Sequence, residues 1–188
     1  SGSSSTIPSG ISNFEIGGGS TAETVFVDLD TVEWAREDIE ALAEEGILQG
    51  KYEGCFCPND SITREEFVKI LVLALDLYDQ SATCTFTDVQ PQAWYASYVA
   101  SAVQNGVIQG YDDGSFGVGK SITREEMAVI AYRAGVLTGR LNQSEETATG
   151  FRDDVMISQW AKTGVAAMTQ AGILSGVGEN NFDPAGIS

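Results

Sequence analysis

Six residues, Ser61-Ile62-Thr63-Arg64-Glu65-Glu66, return unchanged sixty places later as Ser121-Ile122-Thr123-Arg124-Glu125-Glu126. Around them the match extends at the same offset. Phe26 and Asp28 recur as Phe86 and Asp88, Trp34 as Trp94, Gly46-Ile47 as Gly106-Val107, Gly50 as Gly110, and Phe56 as Phe116. A third copy follows about 65 residues on, with Phe151, Asp153, Trp160, Gly172-Ile173, Gly176 and Phe182, the added length falling in the polar stretch 142–149. A fixed period of this length means that each copy is one supersecondary unit, which buries its apolar face only against its neighbours. The chain therefore divides into a Ser/Gly-rich leader (1–24), a first repeat (25–84), a second with its connection (85–149) and an incomplete third (150–188).

Within a repeat the elements read as helices joined by turns. A short extended piece carries Phe and Asp. A first helix follows, spanning Val32 to Glu45 in the first copy, with Trp34, Ile39 and Leu42 on one stripe. Gly46 ends it as a left-handed cap with Ile47 packing back. After a turn-rich loop, threonine followed three places later by glutamate marks a capping box and the start of a second helix. That helix, from Phe67 to Leu77, has almost no polar face, which predicts burial on most sides, with the first helices facing outward. The fold class expected is all-α.

Arg64 and Arg124 stand at the first helical position, where the helix dipole disfavours a cation by about 0.3–1 kcal/mol. The same misplaced charge in both copies reads in two ways. Free N–H groups, the dipole and a guanidinium fork make a receptor for a carboxylate or phosphate. Alternatively, each arginine pairs with a neighbouring acid at the surface.

Composition narrows the function. With 10 Lys+Arg against 27 Asp+Glu the net charge is −17. This argues against nucleic acid, whose binding needs basic side chains on phosphates, and against an anionic membrane surface. No apolar run is long enough for a membrane span. The absence of histidine removes His-based catalytic triads and most zinc chemistry. Cys55, Cys57 and Cys84 fit either a disulfide from Cys84 to one of the other two or three free thiols. Asp112-Asp113-Gly114 lacks the alternating ligands of a calcium loop and reads as a tight turn. No constellation points to catalysis, so no catalytic residue, metal or cofactor is assigned.

The first residue is serine and no signal peptide is evident, as expected of an excised mature piece. At the other end, Phe182 to Ser188 aligns with Phe116 to Thr123 with one residue deleted. The third arginine and its apolar helix are absent, which would leave an apolar opening of a kind rare on soluble monomers. The expectation is that this helix comes from a cleaved continuation or a second chain.

Phe-x-Asp, Trp, Gly-Ile-x-x-Gly and Ile-Thr-Arg-Glu-Glu, in units of about 60 residues, resemble the S-layer homology repeat over residues 25 to 188. The resemblance implies a pseudo-threefold, all-helical module around a central helix bundle, located outside the cell at the bacterial surface. It also implies non-covalent anchoring, by binding secondary cell-wall polysaccharide with pyruvate ketals, or modified peptidoglycan, in grooves between repeats. On that likeness Arg64 and Arg124 are anion contacts and Asp28, Asp88 and Asp153 the motif acids. Trp34, Trp94 and Trp160 are packing or groove residues, and Gly50 and Gly110 let the backbone approach a sugar. From the residues alone, an aromatic at a repeating position favours packing, and the aspartates favour helix caps or arginine partners. The alternative function is a protein-interaction or self-assembly module of a surface layer.

Overall fold

The computed structural model describes residues 26–187, so the leader, with Ile11, Phe14 and Ile16, lies outside the described residues. Among the described residues there are five α-helices: α1 (Arg36–Glu44), α2 (Arg64–Ala74), α3 (Ala96–Gln104), α4 (Arg124–Leu137) and α5 (Lys162–Gln170). Short 3₁₀ turns occupy Leu29–Ala35 and Asp154–Met156. There is no strand among these residues, only isolated antiparallel bridges. Two of them, Thr63 with Ser121 and Thr123 with Ile187, lace one repeat to the next. The fold is all-α.

The capping boxes form in both copies. Thr63 Oγ1 accepts the Glu66 N–H at 3.4 Å while Glu66 Oε2 accepts the Thr63 N–H at 2.8 Å. The corresponding distances at Thr123 and Glu126 are 3.3 and 3.1 Å. The first helices have no side-chain cap. In the first copy the α-helix begins later than the apolar stripe predicts. Val32 is non-helical (φ −131°, ψ 40°), so Trp34 lies in the 3₁₀ turn and α1 starts only at Arg36.

Helix ends follow one pattern. Gly46, Gly106 and Gly172 take φ of 73°, 71° and 72°. Each donates its N–H to the carbonyl three residues back, and the next residue reaches five back, as Ile47 does to Leu42 at 2.9 Å. At the end of α2 the same place is held by Asp76, with φ 54°.

Packing does not sort the helices by depth as expected: α1 does face outward, burying only Ile39, but α3 and α5 are as buried as α2 and α4. α2 lies against α3 and α4 against α5, so each second helix pairs with the first helix of the following repeat, and α2 also touches α4. The main core joins Val68 and Val72 of α2, Val99 and Ala102 of α3, Ile130 and Ala134 of α4, and Phe116. A second core joins Val129 to Val165, Phe151 and Phe182. The first helices α3 and α5 bury four and five residues, whereas Phe67, Ile70, Leu71 and Leu73 of α2 stay partly exposed. Small residues explain this. Ala100, Ala102, Gly164 and Ala166 let a helix approach closely, and a Cβ on Gly164 would stand 3.1 Å from Val129 Cα. α1 packs on its own 3₁₀ turn, around Phe26, Leu29 and Ile39, and against no other helix among the described residues.

Because only glycine reaches the left-handed region without penalty, Asp76→Gly should raise stability by about 1 kcal/mol. Denaturant unfolding reads the shift, and an unchanged midpoint would refute it.

Candidate functional site

The motif aspartates neither cap helices nor meet arginines. Asp28 accepts the N–H groups of Phe56 (2.9 Å) and Cys57 (2.7 Å). Asp88 accepts those of Phe116, Gly117 and Val118 at 2.7, 2.7 and 2.9 Å. Asp153 accepts those of Phe182 (2.7 Å) and Asp183 (2.8 Å). Each carboxylate thus pins the loop of its own repeat. The phenylalanine beside it meets the pinned one: Phe26 on Phe56, Phe86 on Phe116 and Phe151 on Phe182, with centroids 5.3, 5.9 and 5.4 Å apart. The residue after the pinned ring is left-handed in all three copies: Cys57, Gly117 and Asp183.

These bonds set the charge of the clamp. At Asp28 the Phe56 N–H leads and, with Cys57, outweighs partial burial, so the carboxyl sits below the usual aspartate range. At Asp88 burial pushes upward, but the three N–H groups win. Asp153 follows the same balance through Phe182 and Asp183.

The helix starts are closed by the next repeat. The Arg64 N–H donates to the Lys120 carbonyl at 2.9 Å. Those of Arg124 and Glu125 donate to the carbonyls of Gly186 (3.0 Å) and Pro184 (3.2 Å). Of the donors expected to be free at these starts, those of Arg64, Arg124 and Glu125 are therefore already satisfied by backbone, and those of Glu66 and Glu126 by the capping threonines. Two residues with no role assigned from sequence reinforce the joint. Glu65 accepts the Gly119 N–H at 3.1 Å, and Glu125 accepts the Ser158 N–H (3.0 Å) and hydroxyl (2.9 Å).

Both guanidinium groups lie over the pinned phenyl of the next repeat, Arg64 over Phe116 and Arg124 over Phe182, each 5.2 Å from the centroid. Beyond that they differ. Arg124 donates from Nε to the Phe182 carbonyl (2.8 Å) and from Nη2 to the Ser175 carbonyl (3.2 Å). Arg64 is 6% exposed, and its Nη1 pairs with Glu126 Oε1 at 3.2 Å. Its Nε is buried without a hydrogen-bond partner among the described residues. Glu126 Oε1 also accepts the Tyr111 hydroxyl at 2.7 Å. Burial, with the Glu126 bond next, pushes that phenol up to about 12.

Beside Arg64 opens a groove of about 390 Å³ between repeats, lined among others by Gln109, Gly110, Tyr111, Glu126, Arg133 and Trp160. It brings together Arg64, Gly110 and Trp160 of the sequence-derived residues. Arg124 is not among its lining residues, nor are the aspartates, Gly50, Trp34 and Trp94. The tryptophans stand out rather than pack in: Trp34, Trp94 and Trp160 are 86%, 49% and 57% exposed. At Gly50 and Gly110 a Cβ would collide with Phe26 (2.8 Å) and Phe86 (2.3 Å), so these glycines admit the chain's own rings. Asp113 closes a tight turn by accepting the Ser115 N–H at 2.9 Å, and all three cysteines are free thiols. Gln109 and Arg133 had no sequence reading. The signal was a break in the repeat, since Arg133 occupies the place of Leu73.

A pseudo-repeating helical module, with a groove between its units lined by aromatic side chains and by charges of both signs, defines a protein of the helical-repeat class. The family model described as S-layer homology domain matches residues 25–68, 85–128 and 150–186, and the chain belongs to that family. It is similar to Exoglucanase XynX of Acetivibrio thermocellus, at 36% identity over 155 residues, covering 82% of this chain and 14% of that protein. It is similar to the Surface-layer 125 kDa protein of Lysinibacillus sphaericus, at 32% over 154 residues (80% and 13%). The Cellulosome-anchoring protein of Acetivibrio thermocellus matches at 28% over 162 residues (82% and 36%). The chain thus spans a minor part of each relative's length. Cell-surface anchoring is the function class of this family, and no helix among the described residues is long and apolar enough to cross a membrane.

The aspartate clamps predict an acid limb. Their carboxyls titrate lower folded than unfolded, so their stabilisation is complete above the unfolded value of about 3.9. It is lost as pH falls through the folded values. Asp88→Asn should flatten that loss in denaturant unfolding measured below about pH 4, and slopes equal to wild type would refute the clamp's part in it.

Proposed function

We propose that this chain is the non-catalytic anchoring part of a larger surface protein, and that it grips anionic cell-wall polysaccharide in the groove beside Arg64. The observation that carries this reading is the groove's pairing of guanidinium groups with the exposed ring of Trp160. Sugars offer faces to an aromatic and hydroxyls to polar rims, while a carboxylate, such as that of a pyruvate ketal, answers the positive charge. A chain of net charge −17 has no general attraction for such a polymer, so local contacts must supply the affinity. Gly110 brings the backbone to the rim, and the tie of Arg124 to Phe182 and Ser175 holds the third repeat in register. Modified peptidoglycan is the other wall polymer compatible with this chemistry.

Sedimentation of purified wall polysaccharide should carry the chain down, and Trp160→Ala should weaken retention roughly 2–10-fold, the range for one aromatic contact. Retention unaffected by that change would remove the groove from the reading.

A second reading, protein association, is favoured by α1, which has no α-helical neighbour among the described residues while α3 and α5 each have one. A helix from a second copy, or from further chain of the same polypeptide, fits that pattern. Analytical ultracentrifugation should then show self-association rising with concentration, and a monomer at every concentration would exclude the second-copy form.

A further inference from the structure

The first repeat carries a pair of thiols that has no part in the groove. Cys55 and Cys57 flank Phe56, the ring that Asp28 pins, and both are half-buried and free. The counterpart positions hold Ser115 and Gly117 in the second repeat and Asn181 and Asp183 in the third. Cys84, the remaining thiol, packs against the main core, whereas Phe56 belongs to the small core of the first repeat.

The three loops differ in how firmly they are tied. The second is held by three N–H bonds to Asp88 and by Arg64 over Phe116. Asp113 also holds it, accepting the Ser115 N–H and hydroxyl at 2.9 and 2.6 Å. The third has two bonds to Asp153, Asn180 Nδ2 donating to the Gly150 carbonyl at 3.1 Å, and Arg124 over Phe182. The first has two bonds to Asp28 and a tie from Lys51 to the Ser61 carbonyl (2.9 Å), but no arginine over its ring among the described residues. Its backbone draws the two thiols together. The N–H groups of Phe56 and Cys57 converge on one carboxylate and Cys57 is left-handed at φ 61°, the arrangement of a backbone nest. In such a nest the residue before the left-handed one is right-handed helical, which sets Cα atoms two residues apart at about 5.4 Å. Disulfides span roughly 4.4–6.8 Å between Cα atoms, whereas a fully extended Phe56 would hold the pair about 7 Å apart.

We propose that Cys55 and Cys57 are a redox modification site, which closes to a disulfide around Phe56 and fastens the loop of the first repeat. The bond supplies there what an arginine laid on the ring supplies in the other two repeats. A protein of the bacterial surface works outside the reducing cytosol, where such bonds persist. The oxidant is a disulfide, carried by a small molecule or by another protein. Burial, then the charges of Asp60, Asp28 and Cys55, push the Cys57 thiol up, with Lys51 opposing, so the exchange opens from Cys55. The Cys55 thiolate attacks one sulfur of the oxidant, and Cys57 then displaces the mixed disulfide. The oxidant's S–S bond breaks as the new one forms, and the two electrons and two protons given up by the pair leave with it as two thiols.

The test is incubation of the reduced 188-residue chain with oxidised glutathione, then alkylation by iodoacetamide in denaturant, trypsin digestion and mass spectrometry. Cleavage after Lys51, Arg64, Lys69 and Lys120 places Cys55 and Cys57 in the peptide 52–64 and Cys84 in the peptide 70–120. The peptide 52–64 should appear unalkylated and lighter by two hydrogens, with Cys84 alkylated. Dithiothreitol before alkylation should restore both labels to it. Closure should slow hydrogen exchange at the Phe56 and Cys57 amides on the order of tenfold, the loop-entropy scale of a three-residue ring. Cys84→Ser should change neither result. Alkylation of both Cys55 and Cys57 after oxidation, glutathione retained on either, a bond from either to Cys84, or chains joined to one another overturns the site. A closed pair with unchanged exchange overturns the fastening of the loop.

Discussion

Each repeat is joined to the next by a guanidinium laid on a buried phenyl ring. Arg64 over Phe116 and Arg124 over Phe182 share one geometry, and both rings are fully buried. The ring is itself fixed, because the aspartate of its own repeat takes the N–H groups around it. Carboxylate, loop, ring and arginine therefore form one continuous link from unit to unit. It also explains how a cation is tolerated at a helix start. The π face offers compensating negative potential at both sites, with a carboxylate added at Arg64 and backbone carbonyls at Arg124. Phe56, over which no arginine lies among the described residues, is the partly exposed member of the three.

The same link shapes the groove. Glu126 serves the capping box through one oxygen and faces Arg64 and Tyr111 through the other. A single side chain thus starts a helix and cancels the motif charge at the groove floor. Arg133, whose position departs from the internal repeat, stands half-exposed in the same groove. The groove can be built from repeated parts and still be particular to one pair of repeats, because the helix residues facing it vary while the stacking of arginine on phenyl beneath recurs.

Much of this was legible in the chain. The period, the capping boxes at Thr63 and Thr123 and the helix ends at Gly46, Gly106 and Gly172 are local features, decided within a few residues by hydrogen bonding and steric freedom. The aspartates were harder to read, since their partners lie 28 to 30 residues away and a nearby helix offers a plausible but wrong local use. Depth was misjudged for a related reason. The apolar run of α2 reads as the deeper helix, yet burial follows where partners pack, and the first helices α3 and α5 bury as many residues as α2 and α4 while α1 buries one. The tryptophans likewise stand exposed although repetition favoured packing.

Short-range chemistry in the chain was enough to specify an all-helical repeat and where its helices begin and end. Partner choice was left to the assembled fold: which helix meets which, which N–H groups each carboxylate takes, and which guanidinium is buried. Such choices depend on distances between residues far apart in the chain, and only packing brings those residues together.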